Sequence, residues 1–325
     1  MKARQQLGYL ALIISALLFG VGIAFAVYAL RALTPFDLLA VEIGSATATL
    51  WLALAFVGPR RTRRWPVYAL LGLLEPALSY VLYNVGLSRT SASHGALLES
   101  LDGLLVVILG ALLLGERLRT AIVFSLAFGL AGAALVGLAA ESAGPDPATR
   151  FGDALVMLGI VVAAFYSVAV RRFGGKDPAL TVTAYQFLAA SVVIAPITLT
   201  TWLANGSGLP GAAPGQLAAA LGSGVVGTAG AYLLFNVGIA RVAAGRAALV
   251  MNLIPVFGIA AAVIGLHERL HAPEIAGGVL ILVSLFALSF AGGVDEPRRS
   301  ASARIAKTAA VATAEGASES PAAGD

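Results

Sequence analysis

Cysteine is absent from this 325-residue chain, and histidine occurs only three times. The first absence excludes a disulfide framework, a thiolate nucleophile and any cysteine-type zinc site. Charge is also scarce. Only 12% of the residues are Asp, Glu, Lys or Arg, against roughly 25% in soluble domains. No phosphate-binding loop, dinucleotide fingerprint or G-x-S-x-G stretch occurs, so neither a cofactor nor a nucleotide-driven pump is expected. The net charge is +4, but its bases sit in short loops between apolar runs, which argues against nucleic acid as a partner.

What fills the chain is apolar. Hydrophobic residues make up 59%, and mean hydropathy is +0.90. A bilayer span needs about 20 apolar residues. Ten such runs lie near 7–30, 35–57, 66–87, 92–114, 120–140, 152–170, 180–203, 217–240, 247–266 and 273–291. The first is too long for the core of a secretory signal, about 7–15 residues, and reads as a retained span. The expected fold is an all-α polytopic membrane protein, with the lipid bilayer as its surroundings. Beyond position 294 the composition turns to Ala, Ser and charge, and 295–325 is expected to be a disordered cytoplasmic tail. With the N-terminus in the cytoplasm, 17 Lys and Arg fall inside and 4 outside. The positive-inside rule then places both termini in the cytoplasm.

Shifted by 152 positions, the chain overlies itself. SYVLYNVGLSRTSASHGALLESLDGLLVVILGALLLGERL, from Ser79, covers AYLLFNVGIARVAAGRAALVMNLIPVFGIAAAVIGLHERL, from Ala231. Asn84 meets Asn236, Arg89 meets Arg241 and Glu116 meets Glu268. The chain thus divides into a first five-helix repeat, 1–145, and a second, 146–294. Five is odd, so the second repeat enters the membrane inverted. Inverted repeats with a midplane site at their interface are typical of secondary transporters.

Four acids fall in the middle third of spans: Glu42, Glu75, Glu99 and Asp102. Intramembrane acids are costly and mark substrate or proton pathways. Glu99 and Asp102 share a stripe with Gly95, Gly103 and Gly110. Glu42 shares one with Ser45 and Thr49, and Glu75 lines up with Gly72 and Ser79. The opposing reading is that small stripes merely let helices pack closely. At offset 152 the acids Glu75, Glu99 and Asp102 map to Gly227, Met251 and Ile254. The expected cavity is therefore charged on one side and neutral on the other, save for Asn252 and the Tyr185–Gln186 pair. Tyr80 and Tyr232 are candidates for stacking on a substrate. The pairs shared by both repeats, including Asn84 and Asn236, are assigned to architecture.

HERLH at 267–271 matches the H-E-x-x-H zinc motif, and LDG at 101–103 carries an Asp, which resembles the third ligand of intramembrane site-2 proteases. A membrane metalloprotease is thus an alternative. Three observations oppose it: HERLH stands where the first repeat has GERLR, Asp102 lies about 15 Å deeper by helical rise, and Pro273 follows at once. No metal is expected. A facilitative uniporter or lipid-handling protein is the other alternative. His94 reads as a polar residue at a span end.

Ten spans in a 5+5 arrangement, with YNVGL, TSAS and LLGERL in spans three and four, resemble the EamA-type drug/metabolite transporters. The resemblance covers about 7–291. It implies a bacterial inner-membrane carrier that exports amino acids, other metabolites or drugs. The intramembrane acids suit a proton as coupling partner and an amine or guanidinium substrate, and a monomer or homodimer is expected. Span nine carries the family's mid-helix proline, Pro255, whereas span four has Gly103 there and lacks the residue that would kink it.

Overall fold

A computed structural model describes residues 2–58, 62–99, 101–114, 147–173, 177–239 and 253–290, with isolated positions at 124–135, 241 and 250–251. Span five and the tail, with Glu116 and Asn252, lie outside the described residues, as does the side chain of Asn236. The described residues form helices and turns and contain no strand. In chain order the helices are α1 (Lys2–Ala29), α2 (Pro35–Val57), α3 (Trp65–Gly72), α4 (Ser79–Leu87), α5 (Ala92–Glu99) and α6 (Asp102–Leu114). They continue with α7 (Pro147–Phe173), α8 (Ala179–Asn205), α9 (Pro214–Gly222), α10 (Ala231–Ile239), α11 (Ile254–Leu266) and α12 (Ala272–Phe290).

Six continuous helical stretches among the described residues are long and apolar enough to cross a membrane: Gln5–Ala29, Pro35–Val57, Trp65–Leu87, Thr149–Val170, Ala179–Asn205 and Pro214–Phe235. Shorter apolar helices run at Ile254–Leu266 and Ile275–Ser284. Their outer surface is apolar: Phe56 is 84% exposed and Leu203 79%. Such side chains suit hydrocarbon, not water.

The start of α2 shows how local chemistry sets a boundary. Thr34 and Asp37 form a reciprocal capping box, and Pro35 opens the helix where its missing N–H costs nothing. Asp37 Oδ1 also accepts from Trp202 Nε1 and Ser207 Oγ, both at 2.7 Å. One buried carboxylate thus ties the start of α2 to the end of α8.

Two helices are interrupted by wide, π-type turns, at Leu73–Leu78 between α3 and α4 and at Ser223–Gly230 between α9 and α10. In the first, Glu75 leaves helical geometry (φ −141°, ψ 123°) just before Pro76. Pro76 cannot donate to the preceding turn and its ring crowds it, so the helix breaks there. Span four is also two helices, α5 and α6, with a turn at Leu101. A break at this place therefore needs no proline, contrary to the expectation from Gly103. In span nine Pro255 stands in the first turn of α11, not mid-helix.

Helix bounds recur at the sequence offset: 79–87 and 231–239, then 102–114 and 254–266. The packing is crossed. Helix α1 lies on α10, α11 and the turn 223–230, while α7 lies on α4, α6 and the turn 73–78. Helix α2 packs along α8. The crossings depend on glycine. A Cβ on Gly86 would come within 2.7 Å of the Gly152 carbonyl oxygen, and one on Gly22 within 2.8 Å of the Gly227 Cα. Close backbone approach of this kind is how membrane helices gain packing contacts.

Candidate functional site

The crossed helices leave a cavity in the middle of the molecule, with about 670 Å³ of empty space counted to its open side. Three carboxylates line it: Glu42, Glu75 and Glu99. Among the described residues no Lys, Arg or His lines it. Each acid has a different setting.

Glu42 is the most enclosed, at 4% exposure. Its Oε1 accepts from Ser223 Oγ at 2.6 Å and Thr228 Oγ1 at 3.3 Å. Its Oε2 accepts from Asn84 Nδ2 at 2.9 Å. Asn84 comes from α4 and the two hydroxyls from the turn 223–230, so Glu42 joins three separate elements.

Glu75 sits at the break in its helix. Its Oε1 accepts from Tyr232 Oη at 2.7 Å. Tyr232 is held edge-on by Phe19 (5.2 Å between centroids) and Phe187 (5.6 Å). The bond spans the cavity from the acidic side to the neutral side.

Glu99 is the last residue of α5, and Asp102 stands in the first turn of α6. A carboxylate at a helix C-terminus faces the negative end of the dipole, whereas one in a first turn is stabilised. Asp102 therefore has a structural reason for its place that Glu99 lacks. Asp102 is not among the cavity's lining residues.

The other expected site residues separate. Tyr80 and Tyr232 line the cavity. Tyr185 packs edge-on against Trp51 at 5.5 Å, and Gln186 accepts from Tyr166 Oη at 3.2 Å; neither lines the cavity. Asn84, assigned to architecture from its presence in both repeats, lines the cavity and holds Glu42. Arg89 and Arg241 keep an architectural role: their Nη1 atoms donate to the carbonyls of Val85 and Val237, each four residues back. Tyr83 was missed, though it continues the i, i+4 stripe from Glu75 through Ser79. Ser223 and Thr228 carry no signal beyond being hydroxyls in an apolar run.

The metalloprotease reading does not survive the geometry. Helix α11 ends at Leu266, and His267 adopts the left-handed conformation (φ 57°). Residues 267–271 are not helical, so the two histidines are not one turn apart on a common face. Glu268 has other work: its Oε1 accepts the Ala92 N–H at 3.0 Å, capping the start of α5. Among the described residues no group of three or more His, Asp or Glu could hold a metal ion. His94 lies near the same helix start, buried, with Nδ1 3.1 Å from Asp153 Oδ2.

A model of the EamA-like transporter family matches residues 6–138 and again 150–290. The chain belongs to that family. The two matched stretches divide it at the place where the internal repeat does. An uncharacterized transporter of Archaeoglobus fulgidus is 25% identical over 82% of this chain and 93% of its own. One of Bacillus subtilis is 27% identical over 86% and 93%. A probable terminal-alkyne amino-acid exporter of Streptantibioticus cattleyicolor is 26% identical over 72% and 77%. A crystal structure superposes with a TM-score of 0.62 and 24% identity, covering 90% of this chain and 98% of its own, which speaks for the fold alone. The protein is a multi-pass membrane transporter and not an enzyme.

Proposed function

We propose that this EamA-family transporter is a proton-linked secondary carrier exporting a small cationic or zwitterionic organic metabolite. The observation that carries the reading is the cavity wall: three carboxylates and, among the described residues, no basic side chain. Such a wall attracts an amino or guanidinium group, and a carboxylate there can exchange a proton for it. The amino-acid exporter among the relatives fits the same chemistry.

Transport proceeds by alternating access, with two inverted five-helix units, 1–145 and 146–294, rocking about the cavity. The crossed packing and the recurring helix bounds support this division. Both termini face the cytoplasm of a bacterial inner membrane, as the distribution of Lys and Arg requires. The site is complete within one chain, so a monomer suffices and a homodimer is compatible.

Proton release from purified protein in detergent tests the reading, as amino acids, amines and guanidinium compounds are added in turn. Release on substrate addition is expected for the wild type and for Asp102→Asn at reduced amplitude, and is lost in Glu75→Gln. Tight binding with no release in any form would make the protein a uniporter with structural acids.

A further inference from the structure

The hydrogen-bond accounting of the cavity is uneven. Glu42 has three donors and Glu75 has one. Beside them are two hydroxyls with none. Ser79 is 4% exposed, and its Oγ has no partner among the described residues. The Tyr83 hydroxyl is buried and equally without one. Both residues line the cavity, as does Glu99. Buried polar groups in a folded protein are nearly always paired, and an unpaired one asks for a reason.

The placement is ordered. Ser79 and Tyr83 follow at i and i+4 on one face of α4, and Glu75 precedes them at the break in the span. Tyr83 Oη points toward α5: it lies 3.6 Å from where a Cβ on Gly95 would be. Gly95 is one turn before Glu99, and the Tyr83 hydroxyl lies within reach of the Glu99 carboxylate. Gly159 holds the back of this face, since its Cβ would be 3.0 Å from the Ser79 carbonyl oxygen and 3.2 Å from the Tyr83 nitrogen. The two hydroxyls are thus fixed, unsatisfied and next to an acid.

Resting on the carrier reading above, we infer that Ser79 Oγ, Tyr83 Oη and the Glu99 carboxylate form the head-group subsite, and that it takes a primary ammonium. An R–NH3+ group has three N–H donors, and a hydroxyl oxygen and a carboxylate are acceptors. Three acceptors meet three donors, with the charge neutralised by Glu99. A quaternary ammonium has the same charge and no donor. It would satisfy Glu99 electrostatically but leave both hydroxyls unpaired and dry. A site built to hydrogen-bond rejects an analogue that lacks the group for that reason. The rest of the substrate lies toward Phe19, Tyr80 and Tyr232. The shared chemistry is the primary amino group, whether of an amine or of an amino acid.

The test is calorimetric binding to purified protein of isoamylamine, leucine and the N,N,N-trimethyl derivatives of both. The wild type should bind at least one primary compound about tenfold or more tighter than its trimethyl form, the cost of two unpaired hydroxyls. Ser79→Ala and Tyr83→Phe should each shrink that ratio several-fold, and Glu99→Gln should abolish binding of both forms. The amine and amino-acid arms show which source the site accepts. Monodispersity of each variant is checked by gel filtration, and Ser79→Ala alone suffices if Tyr83→Phe fails to fold. Equal affinity for primary and trimethyl compounds, a ratio unchanged in both hydroxyl variants, or no binding by any of the four overturns the subsite. Proton release in the same titrations is a separate readout: discrimination without release removes the proton coupling and leaves the subsite standing.

Discussion

Glu42 and Glu75 are both acids inside apolar helices, but they keep different company. Three donors from two elements fix Glu42, so its carboxylate holds the turn 223–230 to α4 whatever the cavity contains. Replacing it by Gln removes an acceptor and leaves Ser223 or Asn84 unpaired. Glu42→Gln should lower the thermal unfolding midpoint in detergent, at a cost of about 1–3 kcal/mol. Glu75 has one bond, to Tyr232, and that bond must open for the carboxylate to meet a substrate. Tyr232→Phe should leave the fold intact and change the affinity for substrate more than the unfolding midpoint, a split read by calorimetry beside thermal unfolding. Asp37 is a third case, a buried acid outside the cavity lining. Asp37→Ala loses a cap and strands Trp202 Nε1 and Ser207 Oγ. The expected loss is about 2–4 kcal/mol, with substrate affinity at the remaining folded protein unchanged.

Helices meet here through bare backbone, and that sets what each element tolerates. Gly86→Val would drive a side chain into the Gly152 carbonyl and should destabilise by about 1–3 kcal/mol, seen as a lower unfolding midpoint. Helix runs were legible in the sequence because hydropathy and length suffice for a membrane span. The breaks were not. Pro76 sits in an apolar run that reads as continuous, and proline is tolerated in membrane helices when neighbours take up the freed backbone groups. The turn at Leu101 has no proline at all. The candidate acids were legible by type and depth, and Glu42, Glu75 and Glu99 do converge. Asn84 does tie helices together, but its place in the cavity lining was not legible, because symmetry in sequence says which positions correspond and nothing about what each one faces. Its partner Glu42 lies 42 residues away on another helix. Tyr185 and Gln186 stand outside the cavity lining, where Tyr185 packs on Trp51 and Gln186 accepts from Tyr166.

At the scale of the whole molecule, orientation and edge contacts become testable. The chain has no cysteine, so single cysteines report without background. Ser88→Cys should react with a membrane-impermeant maleimide added outside intact cells, and Arg63→Cys only after the membrane is opened. The reverse pattern would invert the topology. On the side assigned to the cytoplasm, Asp177 joins two loops by accepting from Thr62 and, at 2.8 Å, from Tyr68 Oη. These bonds hold its carboxyl below the ordinary value of 3.8. A lowered value in the folded state means the stabilisation is complete above 3.8 and is lost as pH falls through the lowered value. The protection of residues 62–68 against hydrogen exchange, corrected for the intrinsic pH dependence of exchange, should therefore be constant around neutral pH and fall only in strong acid, and Asp177→Asn should remove that acid dependence.

The glycine crossings also have a mechanical meaning. Where Gly86 meets Gly152 and Gly22 meets Gly227, backbone lies directly on backbone. Side chains that mesh act as a ratchet and must be lifted out before one helix can turn on another. Plain backbone acts instead as a bearing. On the alternating-access reading proposed above, the contacts that give the molecule cohesion also give it an axle.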